Sequence, residues 1–286
     1  MLPSLPTPPA LRLAYAAYVA LFFLYLALPL VVVGVFAFNS GRFPGLPWEG
    51  FTLAWFTGNE RPFIGLFNDR RIMAGFVNSG VIAAWVTALS LAVATTTALL
   101  FERHDFRFKE FAYLMMLAPL VIPGVILGIS ILIFASTVAG EIRGRTGVQV
   151  AALRPGMVLV VLGQFSFITT IATLILSARL RKFDPALEEA ALNLGASHWA
   201  VFRTLTLPWI RPALLGAGIV AFLVSFENFN TTLILSGSNA PLTVTMFDRM
   251  REGSTPVLNA VSLVLMAGSG LLGLMAIWVQ GRGRSG

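Results

Sequence analysis

Charged side chains are rare along this chain, and the gaps between them are long enough to cross a bilayer. Between Arg12 and Arg42 lie 29 uncharged residues, between Arg71 and Glu102 30, between Glu110 and Glu141 30, between Arg154 and Arg179 24, and between Glu252 and Arg282 29. About 20 apolar residues span a hydrocarbon core, so each interval predicts one helix rather than two. The interval from Arg211 to Asp248 is interrupted only by Glu227 and predicts a sixth span carrying an acid. The six helices are expected at approximately 13–38, 73–101, 111–138, 156–178, 212–236 and 257–280, with a loop at 179–211. The first apolar block, Leu13–Phe38, is too long for a secretory signal and reads as a retained span. Ten-residue alternating segments, the mark of a membrane β-barrel, are absent. The expected fold class is an all-α integral membrane protein with one transmembrane domain over 13–280. The Pro-rich start (Pro3, Pro6, Pro8, Pro9) predicts a disordered tail over 1–12. Pro29, Pro119, Pro123 and Pro212 predict kinks or first-turn positions.

Composition narrows the class further. The 286 residues are 57% hydrophobic and 12% charged, against roughly 25% charged in ordinary soluble domains. That excludes intrinsic disorder. The balance is basic, 20 Lys+Arg against 13 Asp+Glu, yet no basic run exceeds two residues, which argues against a nucleic-acid partner. With no cysteine, disulfides, thiolate metal sites and cysteine nucleophiles are excluded. An even number of spans puts both termini on one side. If that side is cytoplasmic, the inner segments hold 11 Lys/Arg and the outer ones nine, a narrow margin in favour.

The segment 179–211 is not a simple loop. Asp184-Pro185 pairs an N-cap residue with proline at the first helical position, and Glu188 and Glu189 follow where the helix dipole favours acids. Leu187, Ala190, Ala191 and Leu194 then share one face, and Gly195 ends the helix. Ser197 can cap a second short helix with Trp199 and Phe202 on a common side, expected to break at Pro208. Such an amphipathic pair can lie on a lipid surface or in a protein groove. Surface-lying helices usually have a basic polar face, whereas this first helix has two glutamates and no cation, which favours the groove.

Glu189-Ala190-Ala191, three residues, Gly195, nine residues, Leu205, then Leu207-Pro208 resembles the EAA motif of ABC importer permeases, with leucine at 205 where isoleucine is common. Phe51-Thr52-Leu53, Leu120-Val121-Ile122-Pro123-Gly124, Ser225-Phe226-Glu227-Asn228-Phe229, Pro241-Leu242-Thr243-Val244 and Thr255 through Ala260 resemble the spermidine/putrescine-type permeases of that family. The resemblance covers roughly residues 30–280 and implies the type I ABC importer permease fold. It implies a cytoplasmic coupling helix in which Glu188, Glu189, Ala190, Ala191, Gly195, Ala196, Leu207 and Pro208 serve coupling to an ATPase. Both termini would then be cytoplasmic, in a bacterial inner membrane. The implied partners are ABC ATPase subunits, a second permease subunit (homologous or identical) and an extracytoplasmic solute-binding protein delivering solute to the outer loops Asn39–Arg71, Glu141–Pro155 and Gly237–Pro256. No cofactor is implied in this chain; ATP and Mg would belong to the ATPase.

Glu227 is the single ionisable residue inside any expected span, and a charge there costs about 2.5–3.5 kcal/mol on insertion scales. On a continuous helix it would form a polar stripe with Asn228, Asn230, Thr231 and Thr232, flanked by Phe226 and Phe229. With Gln164 from the fourth helix, that stripe suits a pathway for a cationic solute, the reading favoured for an intramembrane acid; the alternative is helix–helix hydrogen bonds or a protonated glutamate at a subunit contact. Polyamine-type relatives often have two adjacent aspartates where this chain has Glu227-Asn228, so one carboxylate is missing for a di- or trication.

No histidine falls in an expected span, so an intramembrane serine protease is excluded. No metal-ligand spacing and no phosphate-binding loop is present, so any ATP hydrolysis belongs to a partner. Arg103, Arg107 and Lys109 read as a solvated turn, and Gly268-Ser269-Gly270 as small-residue packing. The competing function is a stand-alone secondary carrier or channel using Glu227 as an ion or proton site.

Overall fold

The computed structural model describes residues 8–60, 63–253 and 256–282; residues 1–7, Arg61, Thr255 and Arg284, to which expectations above were attached, lie outside these. Six helical stretches among the described residues are long and apolar enough to cross a membrane: Pro9–Phe36, Arg70–Arg103, Gly124–Thr146, Met157–Leu180, His198–Phe226 and Val257–Met275. The chain divides into two units, one made of the residues up to Asp69 with Arg249–Ala267, the other of Arg70–Asp248 with the residues from Gly268.

In the first unit, α1 (Pro9–Phe36) is apolar on every side beyond Arg12 in its first turn and buries no side chain, as a helix facing lipid should. Residues 9–12, expected in a tail, form its first turn, because proline pre-sets the φ that a first turn needs. The stretch after it is folded rather than loose. It holds α2 (Ala54–Thr57) and a two-stranded antiparallel ribbon of β1 (Asn59–Glu60) and β2 (Phe63–Ile64). Asn39 is its organiser. The buried amide donates to the carbonyls of Gly45 (3.2 Å) and Pro47 (3.3 Å) and accepts from the N–H groups of Gly41 (3.3 Å) and Glu49 (3.0 Å). The Asn39 carbonyl accepts from the indole of buried Trp55 at 2.7 Å. Asp69 pairs with Arg249, closing the segment.

The second unit is built around α6 (Met157–Leu180), whose apolar window is half buried. It packs against α3 (Arg70–Arg103) and α9 (Leu207–Phe226) through two apolar clusters. One holds Ile82, Val86, Ala135, Leu159, Val160, Ile168, Ala221 and Leu235. The other holds Ala94, Ala98, Ala172, Leu176, Leu180, Ile210 and Ala217. Alanines at the second contact let the helix axes approach closely.

Three expected helices differ in outline. The stretch 111–138 is two helices, α4 (Lys109–Val121) and α5 (Gly124–Thr146), because the residue before a proline is driven out of the helical region: Ile122 has ψ 128° ahead of Pro123. The stretch 212–236 is broken too: α9 ends at Phe226 and α10 (Asn230–Leu235) follows. Pro208, expected to end a helix, sits in its first turn instead. The chain runs from α8 (His198–Val201) through a π-turn at Phe202–Thr206 into α9, and the Leu207 N–H reaches back five residues to the Phe202 carbonyl, so the wide turn takes up the proline. Part of the expected outer loop at 237–256 is a helix, α11 (Leu242–Glu252), and α12 (Val257–Arg282) closes the chain.

The short α10 lies close to α5 and α6. A β-carbon added at Gly163 would sit 2.4 Å from Leu235 Cδ1 and 3.3 Å from Thr231 Cγ2. Gly163→Val therefore overpacks this contact and is expected to destabilise the protein by about 1–3 kcal/mol, read as a lower thermal unfolding midpoint in detergent; an unchanged midpoint would remove the contact from the packing core.

Candidate functional site

Two places hold the residues singled out by sequence. The first is α7 (Pro185–Asn193) with its flanks. Asp184 caps the helix by accepting from the Ala186 N–H at 3.0 Å. Its end is a Schellman closure: Gly195 (φ +87°) donates to the Leu192 carbonyl (2.9 Å), and Ala196 to that of Ala191 (3.1 Å). Gly195 is required there because the left-handed region penalises a side chain. Ser197 then caps α8 by accepting from the Ala200 N–H at 3.2 Å. The result is a capped hairpin of two short helices that buries Val201 but leaves several large apolar side chains uncovered. Leu187 is 53% exposed, Leu194 90% and Trp199 68%, with Trp199 stacked on Phe202 at 5.6 Å. Glu189 and Ala190 are also exposed, while Ala191 and Ala196 are half-buried.

Glu188 behaves differently from its neighbour. One carboxylate oxygen accepts from the Thr206 hydroxyl at 2.6 Å, and the other lies 2.9 Å from Arg103 Nε, with both charged side chains mostly buried. Arg103 is thus an ion-pair partner and not part of a solvated turn. Its guanidinium also lies over the ring of buried Phe183. Beside it Glu102 accepts from Arg181 Nε at 3.0 and 3.1 Å. Arg179 and Trp209 clamp the base of the hairpin: each donates to the other's carbonyl, at 3.1 and 3.3 Å, and the guanidinium stacks 4.2 Å from the indole centroid. Leu207 packs into the core between α6 and α9, and Pro208 is exposed at the start of α9; neither joins the face carrying Glu189. In the turn before α4, Lys109 hydrogen-bonds Asp105 at 2.8 Å, and that bond and its charge hold the Asp105 carboxyl below the ordinary carboxylate range.

The second place is the break between α9 and α10. No proline causes it. The Asn228 side chain competes for the backbone, accepting from the Thr232 N–H (3.3 Å) and hydroxyl (2.9 Å), and so starts a new helix. The stripe expected on one continuous helix is therefore split. Thr231 and Thr232 are buried, Asn230 is exposed, and Glu227 is exposed at the end of α9 beside Phe226. Phe226 belongs to an aromatic row with Phe222 and Phe76, at 5.9 and 6.3 Å. Gln164 is 1% exposed and wholly engaged: its amide accepts from Ser225 Oγ and donates to Thr232 Oγ1 at 2.7 Å. The chain Ser225–Gln164–Thr232–Asn228 continues to α11, where Thr243 Oγ1 donates to the Asn228 carbonyl at 3.0 Å. Glu227 accepts from Ser269 Oγ at 2.7 Å, so Ser269 makes a polar contact, while the space beside Gly268 and Gly270 is open.

Helices arranged in this way, with a short capped hairpin braced against the bundle, define the type I fold of ABC importer permeases. Two solved structures share it: a bacterial ABC transporter involved in the import of alginate, TM-score 0.74 over 96% of this chain and 95% of that one at 16% identity, and an amino acid ABC transporter, TM-score 0.51 over 74% and 94% at 14% identity. Residues 94–282 match the binding-protein-dependent transport system inner membrane component family, and the chain belongs to it. It is thus a multi-pass inner-membrane permease subunit, and the stand-alone carrier or channel reading is not favoured. The chain is 29% identical to the putrescine transport system permease protein PotI of Escherichia coli, over 91% of this chain and 88% of that one. It is 26% identical to the spermidine/putrescine transport system permease protein PotC of Haemophilus influenzae, over 87% and 90%.

Arg103, Thr206, Trp209 and Ser269 were not legible as site residues, since each finds its partner only through tertiary contact. Gln164→Leu tests the buried relay. It leaves the Ser225 hydroxyl without its acceptor and removes the donor to Thr232 Oγ1, which keeps its bond to Asn228, and is expected to cost about 1–3 kcal/mol of stability, seen as a lower unfolding midpoint; an unchanged midpoint would remove Gln164 from the polar core.

Proposed function

We propose that this chain forms half of the solute pathway of an ATP-driven, binding-protein-dependent importer in a bacterial cytoplasmic membrane, with both termini cytoplasmic. A second permease, identical or homologous, supplies the other half. Two ATPase subunits, holding ATP and Mg, receive the α7–α8 hairpin in a groove and move it as they close, switching the permease between outward- and inward-facing states. The chain itself carries out no chemical step. The observation that carries this reading is the capped, braced hairpin with Leu187, Leu194 and Trp199 uncovered. Apolar side chains left uncovered on capped helices are suited to a matching groove. Delivery by an extracytoplasmic binding protein is supported by a structural relative, an alginate transporter solved in complex with its periplasmic protein.

The solute is a polyamine or another small polar or cationic compound. The names of the relatives support this, as does Glu227: an exposed carboxylate next to an aromatic row offers charge and π-faces to an ammonium group. Only one carboxylate is present there, which suits a single ammonium at that point.

Gly195→Asp, or Glu189→Lys combined with Ala191→Asp, is expected to abolish uptake while the chain still inserts. Normal uptake with normal ATPase association would refute the hairpin assignment. Glu227→Gln is expected to lower uptake of a cationic solute by about tenfold or more, as expected for truncating one partner of a charge pair. Unaltered uptake would make the carboxylate a partner for Ser269 alone.

A further inference from the structure

We propose that Glu188 is a positioning residue that transmits the motion of α7 into the membrane helices, and makes no contact with the ATP-hydrolysing partner. This rests on the reading of α7 as the docking helix. Glu188 and Glu189 are adjacent, and successive residues on an α-helix point about 100° apart. One of them faces outward and the other into the protein. Glu189 is the exposed one. The Glu188 carboxylate divides its two oxygens between two different helices: Arg103 is the last residue of α3, and Thr206 ends the π-turn that leads into α9.

Three features make this a mechanical joint rather than a surface ion pair. First, no side chain of α7 is fully buried and its apolar residues are at most half-buried, so apolar packing fastens it only weakly to the bundle. Second, the Glu188 and Arg103 side chains are only 17% and 15% exposed, and Thr206 is 2% exposed, so water competes weakly for the ion pair and the Thr206 hydrogen bond. The neighbouring pair Glu102–Arg181 has its arginine 63% exposed and contributes correspondingly less. Third, Arg103 also lies 5.5 Å from the Phe183 ring centroid, immediately before the Asp184 cap. One guanidinium therefore touches both the approach to α7 and its first turn. Displacing α7 along its axis must either break these contacts or carry the ends of α3 and α9 with it. Both helices pack on α6, whose Gln164 holds the break beside Glu227. The joint thus connects the docking hairpin to the helices that hold the candidate solute site.

The test uses the complete transporter, with its ATPase subunits and binding protein, in proteoliposomes, measuring putrescine taken up per ATP hydrolysed. Glu188→Gln is expected to lower that ratio about three- to thirtyfold, the range of coupling changes produced by mutations between sites, while the ATPase still co-purifies. The charge exchange Glu188→Arg with Arg103→Glu is expected to recover a large part of the loss. Thr206→Val, which removes one hydroxyl and leaves the ion pair, should give a smaller drop in the same direction and keeps the test open if Glu188→Gln fails to accumulate. An unchanged ratio in Thr206→Val and in Glu188→Gln would overturn the proposal, as would loss of ATPase co-purification in Glu188→Gln, which would make the residue a partner contact. If the unmodified chain fails to retain the ATPase, it is the docking role of α7 that fails; if it retains it and the ratio is insensitive, only the joint fails.

Discussion

A chain this poor in polar residues must satisfy nearly all of its polar groups from within, because lipid offers no hydrogen bonds. α6 is where that requirement is met. Gln164 takes up Ser225 and Thr232, Thr169 donates to Ser90 at 3.2 Å, and the Thr170 hydroxyl reaches the Met116 carbonyl at 2.7 Å. At its far end Arg179 exchanges hydrogen bonds with Trp209. Together these bonds join α6 to four helices, so the same side chains that remove a desolvation cost also fix the relative placement of α3, α4, α9 and α10. Apolar packing alone would leave the helices freer to slide, since lipid competes with side chains for apolar contact.

The hairpin follows the same logic with charges in place of amides. Its helices are too short to be stable alone, and the chain compensates with a cap at each start, a left-handed glycine between them and an ion pair beneath. The π-turn at 202–206 makes α8 and α9 a single continuous rod despite Pro208. A displacement of the hairpin is therefore carried along a stiff element and not absorbed by a flexible loop.

The break after Phe226 has a different origin from the break before Pro123. At 122–123 the proline forbids the helix locally, and its effect is written in two residues. At 227–229 nothing forbids it; Asn228 offers its side chain to Thr232, and Gln164 and Thr243 hold the arrangement from other helices. That places Glu227 at a helix end, where its side chain is free of the core and reaches Ser269.

The number of spans and the hairpin caps were determined by sequence alone, because each rests on local physics: the cost of a charge in hydrocarbon, the capping preferences of Asp184 and Ser197, the left-handed turn of Gly195; the bounds of the third and fifth spans, Gly124–Thr146 and His198–Phe226, were not. The split of the stretch 111–138 was also readable in principle, at Ile122-Pro123. What depended on tertiary structure were the partnerships. The direction in which Glu188 faces, the burial of Gln164 and Thr231, the engagement of Arg103 and the folded segment around Asn39 all follow from groups distant in sequence. A side chain's pattern position says which face it occupies, whereas only packing decides what stands opposite it.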